Sequence, residues 1–115
     1  MNRPDLEAFL AKLPGSVKDF PFGKKVAVYK VKGKMFALLD EQGEPMRLSL
    51  KCDPHLATVL RERYESVMPG YHLNKKRWNT ILLSGQLTDQ EVYDLVNHSY
   101  ILVAGVVLGE DAVEK

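Results

Sequence analysis

The segment Pro69-Gly-Tyr-His-Leu-Asn-Lys-Lys-Arg-Trp-Asn-Thr80 gathers His72, Lys75, Lys76, Arg77 and Trp78 within seven positions. Cations suit phosphate oxygens, an imidazole can donate or accept, and a large aromatic can stack or enter a groove. Together these are the means of contact with a nucleic-acid backbone. The lone tryptophan, placed where a strand begins, serves more simply as a core anchor, and that reading is preferred for Trp78. A second constellation is Arg47-Leu-Ser-Leu-Lys51. In an extended chain, alternation sets Arg47, Ser49 and Lys51 on one face and Met46, Leu48 and Leu50 on the other. Cys52 and His55 have the C-x-x-H spacing of half a metal site. A structural zinc takes four ligands, which here would have to include His72, His98 or carboxylates, so no metal is expected. Asp94 and His98 stand four apart on a helical stretch and read as a surface pair.

Other chemistries lack their parts. Phe22-Gly23-Lys24-Lys25 has neither the upstream glycine nor the following Ser/Thr of a phosphate-binding loop, and no G-x-G-x-x-G occurs. No serine sits in a G-x-S-x-G elbow, and Cys52 has no flanking cluster of cations to lower its pKa. The expectation is a non-enzymatic binding module without a cofactor.

Charge is strongly segregated beneath a net +1. Residues 20–39 hold five lysines and no acid, and residues 47–77 hold seven basic and three acidic residues. Residues 40–46 and 78–115 are acidic on balance. Such asymmetry points to a polyanionic partner more than the net charge does. At 115 residues, with 45% hydrophobic and 27% charged side chains, the composition is that of one globular domain spanning 1–115. A single cysteine forbids an intrachain disulfide. The N-terminus has no signal-like apolar region, and the longest apolar run, residues 100–108, is far too short for a membrane span. A cytoplasmic protein without membrane contact is expected, as a monomer.

These residues need elements to position them. Leu6, Phe9, Leu10 and Leu13 form one helical stripe, with Asn2 as cap and Pro14-Gly15 as stop. Residues 26–31 and 35–39 are β-rich runs around Lys32-Gly33-Lys34, a hairpin signal. A turn at residues 42–45 leads into the alternating strand 46–51, and Asp53-Pro54 opens a second helix through about Tyr64. Its stripe is Ala57, Leu60 and Tyr64, with Leu56 alongside. Residues 65–77 read as an irregular connection with a turn at Pro69-Gly70, followed by a strand over 78–83. Thr88-Asp-Gln-Glu91 is a capping box for the longest helix, striped by Val92, Leu95, Val96, Ser99, Tyr100, Val103 and Val107. The fold class is α+β: an antiparallel sheet, half exposed, with N- and C-terminal helices packed on one face.

Arg47-Leu-Ser-Leu-Lys51, then Pro54, then Pro69-x-x-His72-Leu-Asn-Lys75-x-x-Trp78-x-Thr80, then the acidic-start final helix, resembles the MmcQ/YjbR family of small bacterial proteins. The resemblance runs along essentially the whole chain in order and spacing. Its most specific part is the His-Leu-Asn-Lys-x-x-Trp block, while the first helix and residues 20–31 match only in type. It implies a fold similar to frataxin-like domains, described in relatives as a "double wing" and for that reason proposed to bind DNA. It marks Arg47, Ser49, Lys51, His72, Asn74, Lys75 and Trp78. Iron chemistry of the frataxin kind is not implied, because the first helix offers only Asp5 and Glu7.

The leading expectation is DNA binding through Lys30, Lys32 and Lys34 around the hairpin, Arg47 and Lys51 on the strand, and His72, Lys75, Lys76 and Arg77. The other class is a protein- or small-anion-binding domain in which Arg47, Lys51 and His72 line one pocket. Cations spread along a broad face favour the first, and convergence of those three in a cleft favours the second.

Overall fold

A computed structural model of the chain describes residues 1–70 and 73–105. The elements are α1 (Arg3–Lys12), β1 (Val17–Asp19), β2 (Val26–Val31), β3 (Lys34–Asp40), β4 (Arg47–Lys51), α2 (Pro54–Arg63), β5 (Val67–Pro69), β6 (Trp78–Leu82) and α3 (Asp89–Ala104). The strands form a six-stranded sheet in the order β1-β2-β3-β4-β6-β5, antiparallel throughout. The helices cover one face, as expected.

Local chemistry fixes the helix ends. The Asn2 side chain accepts from the Asp5 amide at 2.8 Å and Pro4 lies in the first turn, where its missing N–H costs nothing. Asp53 accepts from the His55 and Leu56 amides at the start of α2. Thr88 and Glu91 cap each other's amides at the start of α3. That helix ends at Gly105, which adopts φ 74°, a left-handed conformation suited to glycine. The hairpin joining β2 and β3 has positive φ at both Lys32 (55°) and Gly33 (78°), as a tight turn matched to strand twist requires.

Alternation then builds the core. Ala27, Tyr29, Val31, Ala37, Leu39, Leu48, Leu50 and Ile81 are buried against Leu6 and Leu10 of α1 and Val92, Val96 and Tyr100 of α3. Phe9 stacks on Tyr93 with ring centroids 4.2 Å apart, clamping α1 to α3. Ala57 of α2 is fully buried, whereas its expected companions Leu56, Leu60 and Tyr64 are only half-buried. Val107 lies outside the described residues.

One polar side chain sits at the centre of this layer. Register shifts between Tyr29 and Lys30, leaving Phe36 as an extra residue on β3. Ser99 of α3 is 0% exposed; its hydroxyl donates to the Phe36 carbonyl at 2.6 Å and accepts from the Lys51 amide at 2.9 Å. It bridges β3 and β4 just beyond their last paired residues, Ala37 and Leu50.

Three expectations are corrected. Residues 65–77 are not wholly irregular, because β5 pairs with β6 through Val67, Met68 and Pro69. Proline is compatible with an edge strand, which can leave its missing donor unpaired. β1 is a further edge strand whose three residues are all exposed, so no hydrophobic pattern announced it. The face of β4 that carries Arg47, Ser49 and Lys51 is also not uniformly wet. Ser49, Thr80 and Val28 on that side are buried.

Replacing Ser99 by alanine strands a buried carbonyl and a part-buried amide together. The variant is expected to lose about 1–3 kcal/mol of unfolding free energy, measured by urea denaturation. A stability equal to that of the parent chain would contradict the bridging role.

Candidate nucleic-acid interface

Lys32 and Lys34 flank the β2–β3 turn. The Lys32 ammonium donates to the Ala104 carbonyl at 2.7 Å, satisfying an orphan acceptor at the C-terminus of α3 and countering the helix dipole there. Lys34 is exposed, and Lys30 lies 3.7 Å from Asp19. Lys51 ends β4 and pairs in register with Trp78, the first residue of β6.

The loop that enters β6 is held from within. The Asn74 carbonyl accepts from the amides of Arg77 (3.1 Å) and Trp78 (2.9 Å), and the Asn74 side chain accepts from the Lys76 amide at 3.0 Å. The Cys52 amide donates to the Arg77 carbonyl at 2.7 Å. Arg61 of α2 completes the frame. Its Nε donates to the Asn79 side-chain oxygen at 2.6 Å, and its terminal nitrogen donates to the carbonyls of Lys75 and Trp78. Backbone is thereby pinned while the side chains of Lys75, Lys76 and Arg77 remain exposed.

Trp78 is 7% exposed, so it is core and not a stacking platform. Gly70 presses on it closely. A Cβ at Gly70 would sit 2.6 Å from that of Trp78, which permits no side chain at this crossing.

Strand direction decides what meets what. The β2–β3 turn, the end of β4 and the start of β6 all lie at one end of the sheet. Three strand spacings separate β2 from β6, so Lys32, Lys34, Lys51, Lys75, Lys76 and Arg77 occupy a rim about 15 Å wide. Lys30 lies just inside it on β2. α3 runs its 16 residues toward this rim and ends at it, which sets its acidic first turn about 22 Å from the Lys32 contact. Asp89 there lies 3.4 Å from the N-terminal amino group. Asp53 is the acid nearest the rim in sequence, and its carboxylate is occupied by two amides.

Arg47 does not join the rim. It opens β4, about 13 Å along the strand from Lys51. The two line separate depressions, of about 380 Å³ for Arg47 and about 10 Å³ for Lys51, so the expected shared Arg47–Lys51–His72 pocket is not formed by these two cations. His72 lies outside the described residues.

The Asp94–His98 reading resolves locally. Among the described residues no three His, Cys, Asp or Glu side chains come together. Burial pushes the Cys52 thiol up to about 11, with Asp53 adding to the rise. His98 accepts from the Asp53 amide at 3.1 Å and Asp94 accepts from the Gln90 side chain at 2.8 Å, so each has its own partner. No helix among the described residues is long and apolar enough to cross a membrane. Sequence reading had overlooked Arg61. The available signal was a guanidinium four residues after buried Ala57, on the inward stripe of α2.

The class so defined is an α+β domain with three helices on one face of an antiparallel sheet and a basic rim at one sheet end. The chain belongs to the YjbR family, which it matches over residues 11–102. It is 38% identical over 100 residues to the uncharacterised protein YjbR of Escherichia coli K12, covering 87% of this chain and 85% of that one. It is 39% identical over 64 residues to the uncharacterised protein YyaQ of Bacillus subtilis 168, covering 56% and 53%. The crystal structure of Deinococcus radiodurans protein DR2400, a DUF419 domain, superposes with a TM-score of 0.84 at 40% identity, covering 94% of this chain and 83% of that one. A crystal structure of a Pseudomonas syringae protein gives 0.77 at 30% identity, covering 90% and 99%.

Two outcomes test this site. Arg61→Ala leaves the Asn79 oxygen and two carbonyls without their donor. Tryptic cleavage after Lys75, Lys76 or Arg77 is expected to accelerate before global unfolding, with a stability loss of about 1–3 kcal/mol. For Cys52, the folded thiol should stay protonated where an exposed one, with pKa about 8.5, ionises. At pH 9 iodoacetamide should alkylate native protein roughly 50–100-fold more slowly than urea-unfolded protein. Because the folded pKa is the higher one, this group's contribution to stability is complete below about pH 8.5 and is lost as pH rises toward 11.

Proposed function

We propose that the chain is a non-enzymatic DNA-binding module that meets the duplex with the basic rim of its sheet. The observation that carries this reading is the convergence of cations from three separate segments, the hairpin, the end of β4 and the β5–β6 loop, at one sheet end. The acidic first turn of α3 lies at the other end. A rim about 15 Å across is comparable with the roughly 12 Å width of the major groove, so lysines at its two sides could reach phosphates on both strands.

Contacts of this kind position a protein without reading bases. Lys34, Lys51, Lys75, Lys76 and Arg77 make about five contacts, while Lys32 and Lys30 are engaged with Ala104 and Asp19. Counterion release then makes log K fall with log salt at a slope of about −4 to −5. Pinning of the 74–78 backbone lowers the ordering cost that such contacts would otherwise carry.

Fluorescence anisotropy with labelled duplexes at several salt concentrations tests the proposal. Affinity should be similar across unrelated sequences, and the double variant Lys34→Ala, Lys76→Ala should reduce the slope by about two. Absence of binding at tens of micromolar protein in low salt, where nonspecific affinities of this type are measurable, refutes it.

A further inference from the structure

The face of the sheet opposite the helices carries a groove of about 380 Å³, lined by Phe22, Val26, Leu38, Asp40, Arg47, Ser49, Leu73 and Thr80. Its floor is the cross-strand rows Val26–Asp40–Arg47 and Leu38–Ser49–Thr80. Phe22 comes from the loop between β1 and β2, and Leu73 from the loop between β5 and β6. We propose that this groove binds a small amphipathic organic anion: a compact apolar body, aromatic or branched, bearing a carboxylate or sulfonate held by Arg47.

The volume falls in the range of small-molecule sites, roughly 300–1,000 Å³, and is far too small for a duplex or a folded partner. The walls are chiefly aliphatic and aromatic, which calls for an apolar body. The polar groups of the floor are already turned to one another: the Ser49 and Thr80 hydroxyls are 2.8 Å apart. Arg47 differs from them. Among the described residues it has no hydrogen-bond or ion-pair partner, although its neighbour across the ladder is Asp40. Asp40 instead accepts from the Gln42 amide at 3.0 Å, stabilising the turn after β3. A guanidinium at the mouth of an apolar groove fits a planar carboxylate through two parallel N–H bonds.

Phe22 supplies an independent reason to expect an occupant. Its ring is 62% exposed although it borders an apolar groove. A ligand's apolar body gives that ring a surface to cover. The site differs from the basic rim in residues and in place. Inorganic anions have no apolar body to bury, so they should compete poorly.

The probe is 8-anilinonaphthalene-1-sulfonate, an aromatic sulfonate, titrated into the folded full chain. One-to-one binding is expected, with amide chemical-shift changes centred on Leu38, Arg47, Ser49 and Thr80. Arg47→Ala should weaken binding by about tenfold or more, the usual scale of a charge-assisted pair. Phe22→Ala should weaken it severalfold, and Lys34→Ala, Lys76→Ala should leave it unchanged. Neutral Nile red should bind the parent and Arg47→Ala chains equally, and millimolar inorganic phosphate should not displace the sulfonate. Circular dichroism keeps the comparison to folded variants, and both Arg47 and Phe22 are exposed enough to be replaced without unfolding. No saturable binding, shift changes confined to other surfaces, or an unchanged affinity in folded Arg47→Ala overturns the proposal. Its failure leaves the DNA reading standing, because that reading is tested with Lys34 and Lys76.

Discussion

The hydroxyl of Ser99 is the contact on which the basic end of this domain depends. An extra residue at Phe36 breaks the register of β2 with β3, and the ladder between β3 and β4 ends at Ala37 and Leu50. One carbonyl and one amide would be left facing the helix layer, at a combined cost of about 1–3 kcal/mol. Serine supplies a donor and an acceptor in a single small group, and both are used. The same contact fixes α3 along its axis. Its last carbonyls then meet Lys32, and His98 meets the Asp53 amide that begins α2. A helix shifted by one turn, about 5.4 Å, would lose all three.

A second constraint acts through Arg61. A cation taken partly from water needs compensation, and here it comes from two carbonyls and an amide oxygen, not from a carboxylate. Its positive charge is therefore not cancelled by a salt bridge. It adds to the field of the loop that it holds, where Lys75, Lys76 and Arg77 stand in water. Asn79 turns the arrangement inward by donating to the Ala57 carbonyl, so the loop is tied to the one fully buried residue of α2. Arg61 is thus a positioning residue for the basic rim.

Most of the architecture was legible because patterns extend over many residues. The stripes of α1 and α3, the Thr88–Glu91 box and the Lys32-Gly33 turn each rest on several agreeing signals. β1 and β5 are three residues long, and their existence depends on neighbours that pair with them. Local pattern says nothing about such edges. The site was half legible for a related reason. Cation types were visible, and alternation placed Arg47 with Ser49 on the face away from the helices. Alternation carries no information about where along a strand two same-face residues meet their neighbours. Five residues of β4 put Arg47 and Lys51 at opposite ends, in different surroundings. Ser49 between them is buried and bonded to Thr80, which a period-two reading cannot see.

β4 therefore joins two chemically different regions with a single short strand. Its C-terminal end meets the hairpin and the Arg61-held loop, where cations outnumber acids and protrude into water. At its N-terminal end lie Asp40, the groove and the Phe22 loop, where apolar surface dominates and one guanidinium has no partner among the described residues. A net charge of +1 conveys neither environment. Screening explains why the two can coexist. At physiological ionic strength the Debye length is about 8 Å, shorter than the roughly 13 Å between Arg47 and Lys51. The rim and the groove are therefore electrostatically independent, and a charge placed at one should be felt at the other only through the sheet that connects them.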